Sequence, residues 1–172
     1  MPSVSADLRT QLSRVRLLAM DVDGVLTDGG VYVLDDGKEL RRFNIKDGLG
    51  LKQVMAQGIV VAWISSGTSE AVKHRAGRLG ISEAHIGVED KIALLRQLCL
   101  VRGIPLQQVA YIGDDLADAE PMRAVGLALA PADATDEIRR LAGYVTLADG
   151  GQGAVREICD LLLACLAAVD HE

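Results

Sequence analysis

Asp21 and Asp23 are separated by one residue, followed at once by Gly24, and preceded by a short, mainly apolar run over 15–20. Two negative charges at the end of a buried strand cost solvation and repel each other unless a cation or donor offsets both. An Asp-x-Asp-Gly sequence is by itself an ordinary turn. Here it has company. Ser65 and Ser66 end a second apolar run over 59–64, Asp114 and Asp115 follow a third over 109–112, and Lys91 opens a helical stretch. Carboxylates without histidine or cysteine select a hard cation, and Mg²⁺ keeps waters and bridges to phosphate. A carboxylate can attack phosphorus to give an aspartyl-phosphate. A second carboxylate, two residues on, can protonate the leaving alkoxide and then activate water. Lys91 and the cation would stabilise the charged equatorial oxygens of the transferred group. The set points to phosphoryl transfer.

The elements that must position these residues alternate between strands and helices. Strands are predicted over 15–20, 59–64, 85–87, 109–112, 127–130 and 144–146, with Met20 and Trp63 in the core. Helices are predicted from about 7 to 12, from an Asp47 cap to Gly58, over 70–79 with Gly80 as the stop, over 90–101, 118–125 and 136–142, and from 154 to about 169. Two β-rich stretches around Asp35-Asp36-Gly37 predict a hairpin at about 30–43, with Asp35 and Asp36 as turn residues. Gly150-Gly151-Gln152-Gly153 reads as a flexible link into the last helix. The alternation predicts an α/β, doubly wound, mostly parallel sheet between two helix layers, in a single domain over 1–172. Right-handed crossovers then bring the carboxyl ends of the strands to one edge, where ligands bind in such sheets.

Composition narrows the field. The chain has 172 residues, enough for one sizeable core. It is 49% hydrophobic but only 3% aromatic, which suits Val- and Ile-rich parallel strands. A formal net charge of −6 disfavours nonspecific binding to nucleic acid or to an anionic membrane. An anionic substrate would therefore need a metal and local cations. Cys99, Cys159 and Cys165 have no metal-ligand spacing and read as reduced thiols. No secretory leader pattern and no apolar run of spanning length is present, so the expected location is cytoplasmic.

Read in order, Asp21-Val-Asp-Gly-Val-Leu-Thr, Ser65 at a strand end, Lys91, and Gly113-Asp-Asp-Leu-Ala-Asp118 resemble the haloacid dehalogenase-like superfamily of aspartate-nucleophile phosphatases. Thr27-Asp-Gly-Gly-Val-Tyr, Phe43-Asn-Ile-Lys-Asp-Gly-Leu-Gly, Val125-Gly-Leu-Ala and Gly150-Gly-Gln-Gly-Ala-Val-Arg-Glu resemble the 3-deoxy-D-manno-octulosonate 8-phosphate phosphatase family, over residues 16–163. The resemblance implies Asp21 as nucleophile and Asp23 as general acid/base, the latter also offering its carbonyl to Mg²⁺. It implies Asp114 as the other metal ligand, Ser65 and Lys91 on the phosphate, and Asp115 and Asp118 as supports. The gaps between motifs are too short for a cap domain, so the site is predicted to be open. A homotetramer, which the resemblance implies, would cover it with neighbouring hairpins. Val31, Val33, Leu34 and Leu40 would then be interface.

Two departures bear on the substrate. The family usually has Thr-Gly-Arg where this chain has Ser65-Ser66-Gly67, and an arginine where Gln152 stands. Losing two guanidinium groups weakens recognition of a sugar acid's carboxylate. Arg75, Arg78 or His74 could compensate, against the plainer reading of a solvated helix face. Ser66, Asp47 and Arg78 are candidate substrate contacts, Asp47 being also a helix cap, and Arg156 with Glu157 reads as a surface pair. The substrate is expected to be 3-deoxy-D-manno-octulosonate 8-phosphate. A nonulosonate (sialic-acid-like) 9-phosphate is the alternative, and a non-catalytic tetramerisation module is the reading from a different class.

Overall fold

The computed structural model describes residues 5–169; residues 1–4 and 170–172 of the expected domain lie outside the described ones. In chain order the elements are α1 Ala6–Ser13, β1 Leu17–Met20, β2 Tyr32–Val33, β3 Glu39–Leu40, α2 Ile45–Ala56, β4 Val60–Ile64, α3 Glu70–Leu79, β5 Glu83–His85, α4 Lys91–Arg102, β6 Val109–Ile112, α5 Ala119–Ala124, β7 Leu127–Ala130, α6 Asp136–Leu141, β8 Tyr144–Val145 and α7 Ala154–Val169. Six strands form one parallel sheet in the order β5-β4-β1-β6-β7-β8. The order reverses around β1, so the crevice of such a sheet opens beside its carboxyl end.

Burial on both faces explains why the central strands are nearly all apolar. Along β1, Leu18 and Met20 pack into a cluster with Leu51, Val54, Val72 and Ile158, from α2, α3 and α7. Leu17 and Ala19 point the other way, to Leu95, Met122 and Ile138 of α4, α5 and α6. Trp63 and Met20 are fully buried, as predicted. The helices stop where left-handed glycines allow them to: Gly80 after α3 and Gly103 after α4.

Four local expectations change. Asn44, not Asp47, caps α2, its side chain accepting from the Lys46 N–H at 2.8 Å. Asp47 sits in the first turn of that helix and turns to a different one. The edge strand is Glu83–His85 rather than 85–87: its polar residues are tolerated because the edge is only half buried, and Gly87 with φ 65° ends the run. Residues 116–118 form a single 3₁₀ turn before α5. Finally, Gly150–Gly153 is no loose link. The Gly151 N–H donates to the Val25 carbonyl at 2.9 Å, and a Cβ on Gly150 would overlap the Gly24 carbonyl oxygen. Among the described residues no cap domain interrupts the sheet; β2 and β3 form the hairpin after the first strand. Among the described residues no helix is long and apolar enough to cross a membrane.

Candidate active site

β1 ends at Met20, and the next residues turn back on themselves over Asp21–Thr27. The turn is held from inside by Thr27, fully buried, whose hydroxyl accepts from the Gly24 and Gly29 N–H groups at 3.3 and 3.2 Å. Gly24 has φ +87°, and a Cβ there would collide with the Asp114 carboxylate. Only glycine meets both demands. The first motif and the loop after β6 are therefore in direct backbone-to-carboxylate contact.

That contact gathers the acids. Oxygens of Asp21, Asp114 and Asp118 lie within 4.8 Å of one another. Lys91, the first residue of α4, puts its ammonium 3.0 Å from Asp21 Oδ2 and 2.8 Å from Asp118 Oδ1, with a side chain 3% exposed. Asp118 is fully occupied: its Oδ1 also accepts from the Tyr111 hydroxyl at 2.8 Å, and its Oδ2 from the Asp114 and Asp115 N–H groups at 3.1 and 3.4 Å. Four donors leave it little capacity for a metal. It organises the site instead, fixing Lys91 and the Asp114 loop together. Asp115 is exposed and caps the 3₁₀ turn through the Leu116 N–H at 2.7 Å, in a reciprocal pair with Asp118.

Asp114 is the opposite case. Its Oδ1 is buried and has no hydrogen-bond partner. Burial, then repulsion from Asp21 and Asp118, pushes its pKa up to about 8. Asp21, whose other oxygen accepts the Val22 N–H at 2.7 Å, is raised by burial and Asp118 to about 6, against the pull of Lys91. Burial lowers Lys91, but Asp21 and Asp118 more than offset it, so its ammonium persists. An orphaned carboxylate oxygen beside a second strained carboxylate is the signature of a cation site. The donor set is all oxygen, which fits Mg²⁺. Asp21 and Asp114 would supply the carboxylates.

The second motif closes the opposite wall. Ser65 is buried at the end of β4, its hydroxyl accepting the Gly67 N–H at 3.1 Å, whereas Ser66 is exposed. Asp23 faces the hairpin: its Oδ1 accepts Arg41 Nε at 2.7 Å. The side chain of Arg41 is only 6% exposed. No local pattern marks this residue, because it lies 18 positions from Asp23 on a short, otherwise exposed hairpin. The one available signal was the missing side chain at Gly67.

The remaining predicted contacts are farther out. Asp47 is buried, and its Oδ1 accepts the Arg156 N–H at 2.9 Å in the first turn of α7. Arg78 and His74 are exposed on α3 and make no hydrogen bond to the cluster, while Arg75 leans on Gly48. Arg156 pairs with Asp160, not with Glu157, which instead accepts the Tyr144 hydroxyl and the Leu147 and Ala148 N–H groups. Gln152 is exposed.

A family model described as haloacid dehalogenase-like hydrolase matches residues 81–158. The 3-deoxy-D-manno-octulosonate 8-phosphate phosphatase of Escherichia coli K12 is 42% identical over 168 residues, 98% of this chain and 89% of that one. Two crystal structures superpose closely. The phosphatase of that name from Yersinia pestis gives a TM-score of 0.94 at 40% identity, covering 97% of this chain and 90% of that one. The one from Moraxella catarrhalis, in complex with magnesium ion, phosphate ion and a KDO molecule, gives 0.93 at 37% identity, covering 98% and 97%. The chain thus belongs to the 3-deoxy-D-manno-octulosonate 8-phosphate phosphatase family of haloacid dehalogenase-like hydrolases, and is a phosphoric monoester hydrolase.

Proposed function

We propose that this chain is a Mg²⁺-dependent phosphatase that hydrolyses 3-deoxy-D-manno-octulosonate 8-phosphate through an aspartyl-phosphate on Asp21. The observation that carries it is the Asp21–Lys91–Asp114 arrangement: a carboxylate paired with a buried ammonium, beside another whose Oδ1 has no partner. Asp21, Asp114 and the Asp23 carbonyl would hold Mg²⁺, which would supply charge neutralisation at the phosphoryl oxygens. An Asp21 oxygen attacks phosphorus, and the P–O bond to the sugar breaks. The departing alkoxide takes its proton from Asp23. Asp23 then takes a proton from water, whose oxygen attacks the acyl phosphate, releasing inorganic phosphate and restoring Asp21. Lys91 and the Ser65 hydroxyl hold the phosphate oxygens during both steps. Asp118 keeps Lys91 aimed.

The departure at the second motif, Ser65-Ser66-Gly67 with no arginine, favours one second reading, a nonulosonate 9-phosphate. The intact catalytic set argues against a module that only assembles. The exposed apolar residues Tyr32, Val33, Leu34 and Leu40 support a homotetramer in which hairpins cover neighbouring sites, and the free thiols of Cys99, Cys159 and Cys165 suit the cytoplasm. The test is phosphate release with Mg²⁺ across eight- and nine-carbon keto-deoxy sugar acid phosphates. The octulosonate ester should be hydrolysed best, and Asp21→Asn should lose at least about 1000-fold, as expected when a covalent nucleophile is removed. A chain that releases phosphate from none of these, or an Asp21→Asn variant at full activity, refutes the mechanism.

A further inference from the structure

Arg41 breaks the pattern of its own hairpin. Tyr32, Val33 and Leu40 are 66%, 69% and 52% exposed, yet the Arg41 side chain is 6% exposed. It is turned inward over the catalytic loop. Its Nε donates to Asp23 Oδ1 at 2.7 Å, its Nη2 reaches Asp23 Oδ2 at 3.5 Å, and its Nη1 donates to Glu39 at 2.9 Å. A guanidinium has five N–H donors. Those three contacts leave two of them free.

Its position relates directly to Gly67. A Cβ built on Gly67 would lie 3.6 Å from Arg41 Nη2, 3.2 Å from Asp23 Oδ2 and 3.3 Å from the Ser65 hydroxyl. A Cβ at 67 would touch the guanidinium at ordinary contact distance, so a longer side chain there would extend alongside it toward the same part of the site. Because Asp23 hands its proton to the leaving oxygen, a cation 2.7 Å from Asp23 stands on the leaving-group side. It meets the organic part of the substrate rather than the phosphate. The need for a cation there is clear from charge. Asp21, Asp23, Asp114, Asp115 and Asp118 surround the site, and Lys91 is committed to Asp21 and Asp118. A substrate with a carboxylate as well as a phosphate adds still more negative charge. A planar guanidinium fork matches a carboxylate as an ammonium does not.

We infer that Arg41 is the specificity-determining residue of this site: its guanidinium, delivered by the hairpin into the space that Gly67 leaves open, binds the carboxylate of the substrate. This rests on the reading of the substrate as a sugar acid phosphate. On binding, the substrate carboxylate takes the free N–H groups and shares the fork with Asp23. The Arg41–Gly67 pairing is thus an exchange, with the guanidinium arriving from the hairpin instead of the loop after β4.

The experiment compares kcat/KM for 3-deoxy-D-manno-octulosonate 8-phosphate with that for a hexitol 6-phosphate, which lacks a carboxylate, in the unaltered chain, Arg41→Gln, Arg41→Lys and Arg41→Gln/Gly67→Arg. Arg41→Gln should lower the acid-to-neutral ratio by about 10- to 100-fold, mainly through KM, the range expected for a charged hydrogen-bonded pair. Arg41→Lys should recover part of it, and Gly67→Arg in the glutamine background most of it. If both substrates lose in equal proportion, Arg41 only positions Asp23 and the inference fails. If Arg41→Gln keeps the ratio, it fails as well. An unaltered chain that shows no preference for the acid overturns the substrate reading along with it, and that result appears before any variant is compared.

Discussion

Binding of Mg²⁺ should expel a proton, and the structure says how many. The pair Asp21 and Asp114 carries pKa values of about 6 and about 8, both raised by burial first, then by repulsion from Asp118 on Asp21 and from Asp21 and Asp118 on Asp114. In the metal-free protein they titrate as a unit with macroscopic steps near those values. At pH 7 Asp114 is about nine-tenths protonated and Asp21 about one-tenth, so together they hold about one proton. Metal ligation needs both ionised. Magnesium binding should therefore release about one proton at pH 7, about two at pH 5 and almost none at pH 9. Calorimetric titration of Mg²⁺ in buffers of different ionisation enthalpy measures this directly, since the slope of observed heat against that enthalpy is the proton number. The same linkage fixes a sign for stability. Between about pH 4 and pH 8 these two carboxyl groups hold more protons in the folded chain than in the unfolded one, so their contribution to metal-free stability is greatest at the acid end and falls as pH rises to 8. Added Mg²⁺ should raise the melting temperature more at pH 8 than at pH 5. Heats that do not depend on the buffer at pH 7 would show that Asp114 is already ionised, and the account of its orphaned oxygen would be wrong.

Two further outcomes follow from packing. Gly24→Ala places a methyl into the Asp114 carboxylate at a φ of +87°, so phosphate release should fall at least about 100-fold, because misplacing a metal ligand by an ångström is that costly. Calorimetry should show the loss of Mg²⁺ affinity in the same variant, and a fully active Gly24→Ala chain would contradict the close approach. Asp47→Ala removes the acceptor of the Arg156 N–H at the start of α7, where Gly153 offers no side chain, and should cost about 1–2 kcal/mol in urea unfolding. Asp47→Asn keeps an acceptor and should cost less. Burial raises Asp47 to about 6, so its proton stabilises the fold below about pH 4 and that contribution is lost as pH rises to 6; the asparagine variant should lack this fall.

The strands and their polar ends were legible because parallel strands covered on both faces leave long apolar runs in the sequence, each ending abruptly in Asp or Ser. Lys91 and Asp118 could be picked out as motif residues, but not as partners: 27 positions separate them, and only the sheet order joins them. Asn44 and Asp47 are both competent caps for α2, and local sequence could not choose between them. The choice is made by Arg156, 109 positions away, whose backbone N–H claims Asp47 and leaves the local cap to Asn44. Arg41 is hidden for the same reason, since an arginine on a hairpin is by default solvated and only the register with Asp23 turns it inward.

Glycine runs illustrate the ambiguity most sharply. A run such as Gly150-Gly151-Gln152-Gly153 reads as flexibility when judged by conformational entropy alone. Here two of its glycines are required because other backbone comes too close for a Cβ: Gly150 lies against Gly24, and Gly151 against Thr27 and Asp28. The Gly151 N–H bonds Val25, its carbonyl accepts from the Asn44 side chain at 3.3 Å, and Asp47 holds the start of α7. The catalytic loop, the start of α2 and the start of α7 are consequently one packed unit. The hairpin enters that unit between the first two parts, immediately after the catalytic loop and immediately before α2. The hairpin is therefore joined to Asp23 directly through Arg41, and its end leads into the start of α2, which Asn44 and Asp47 tie to the start of α7.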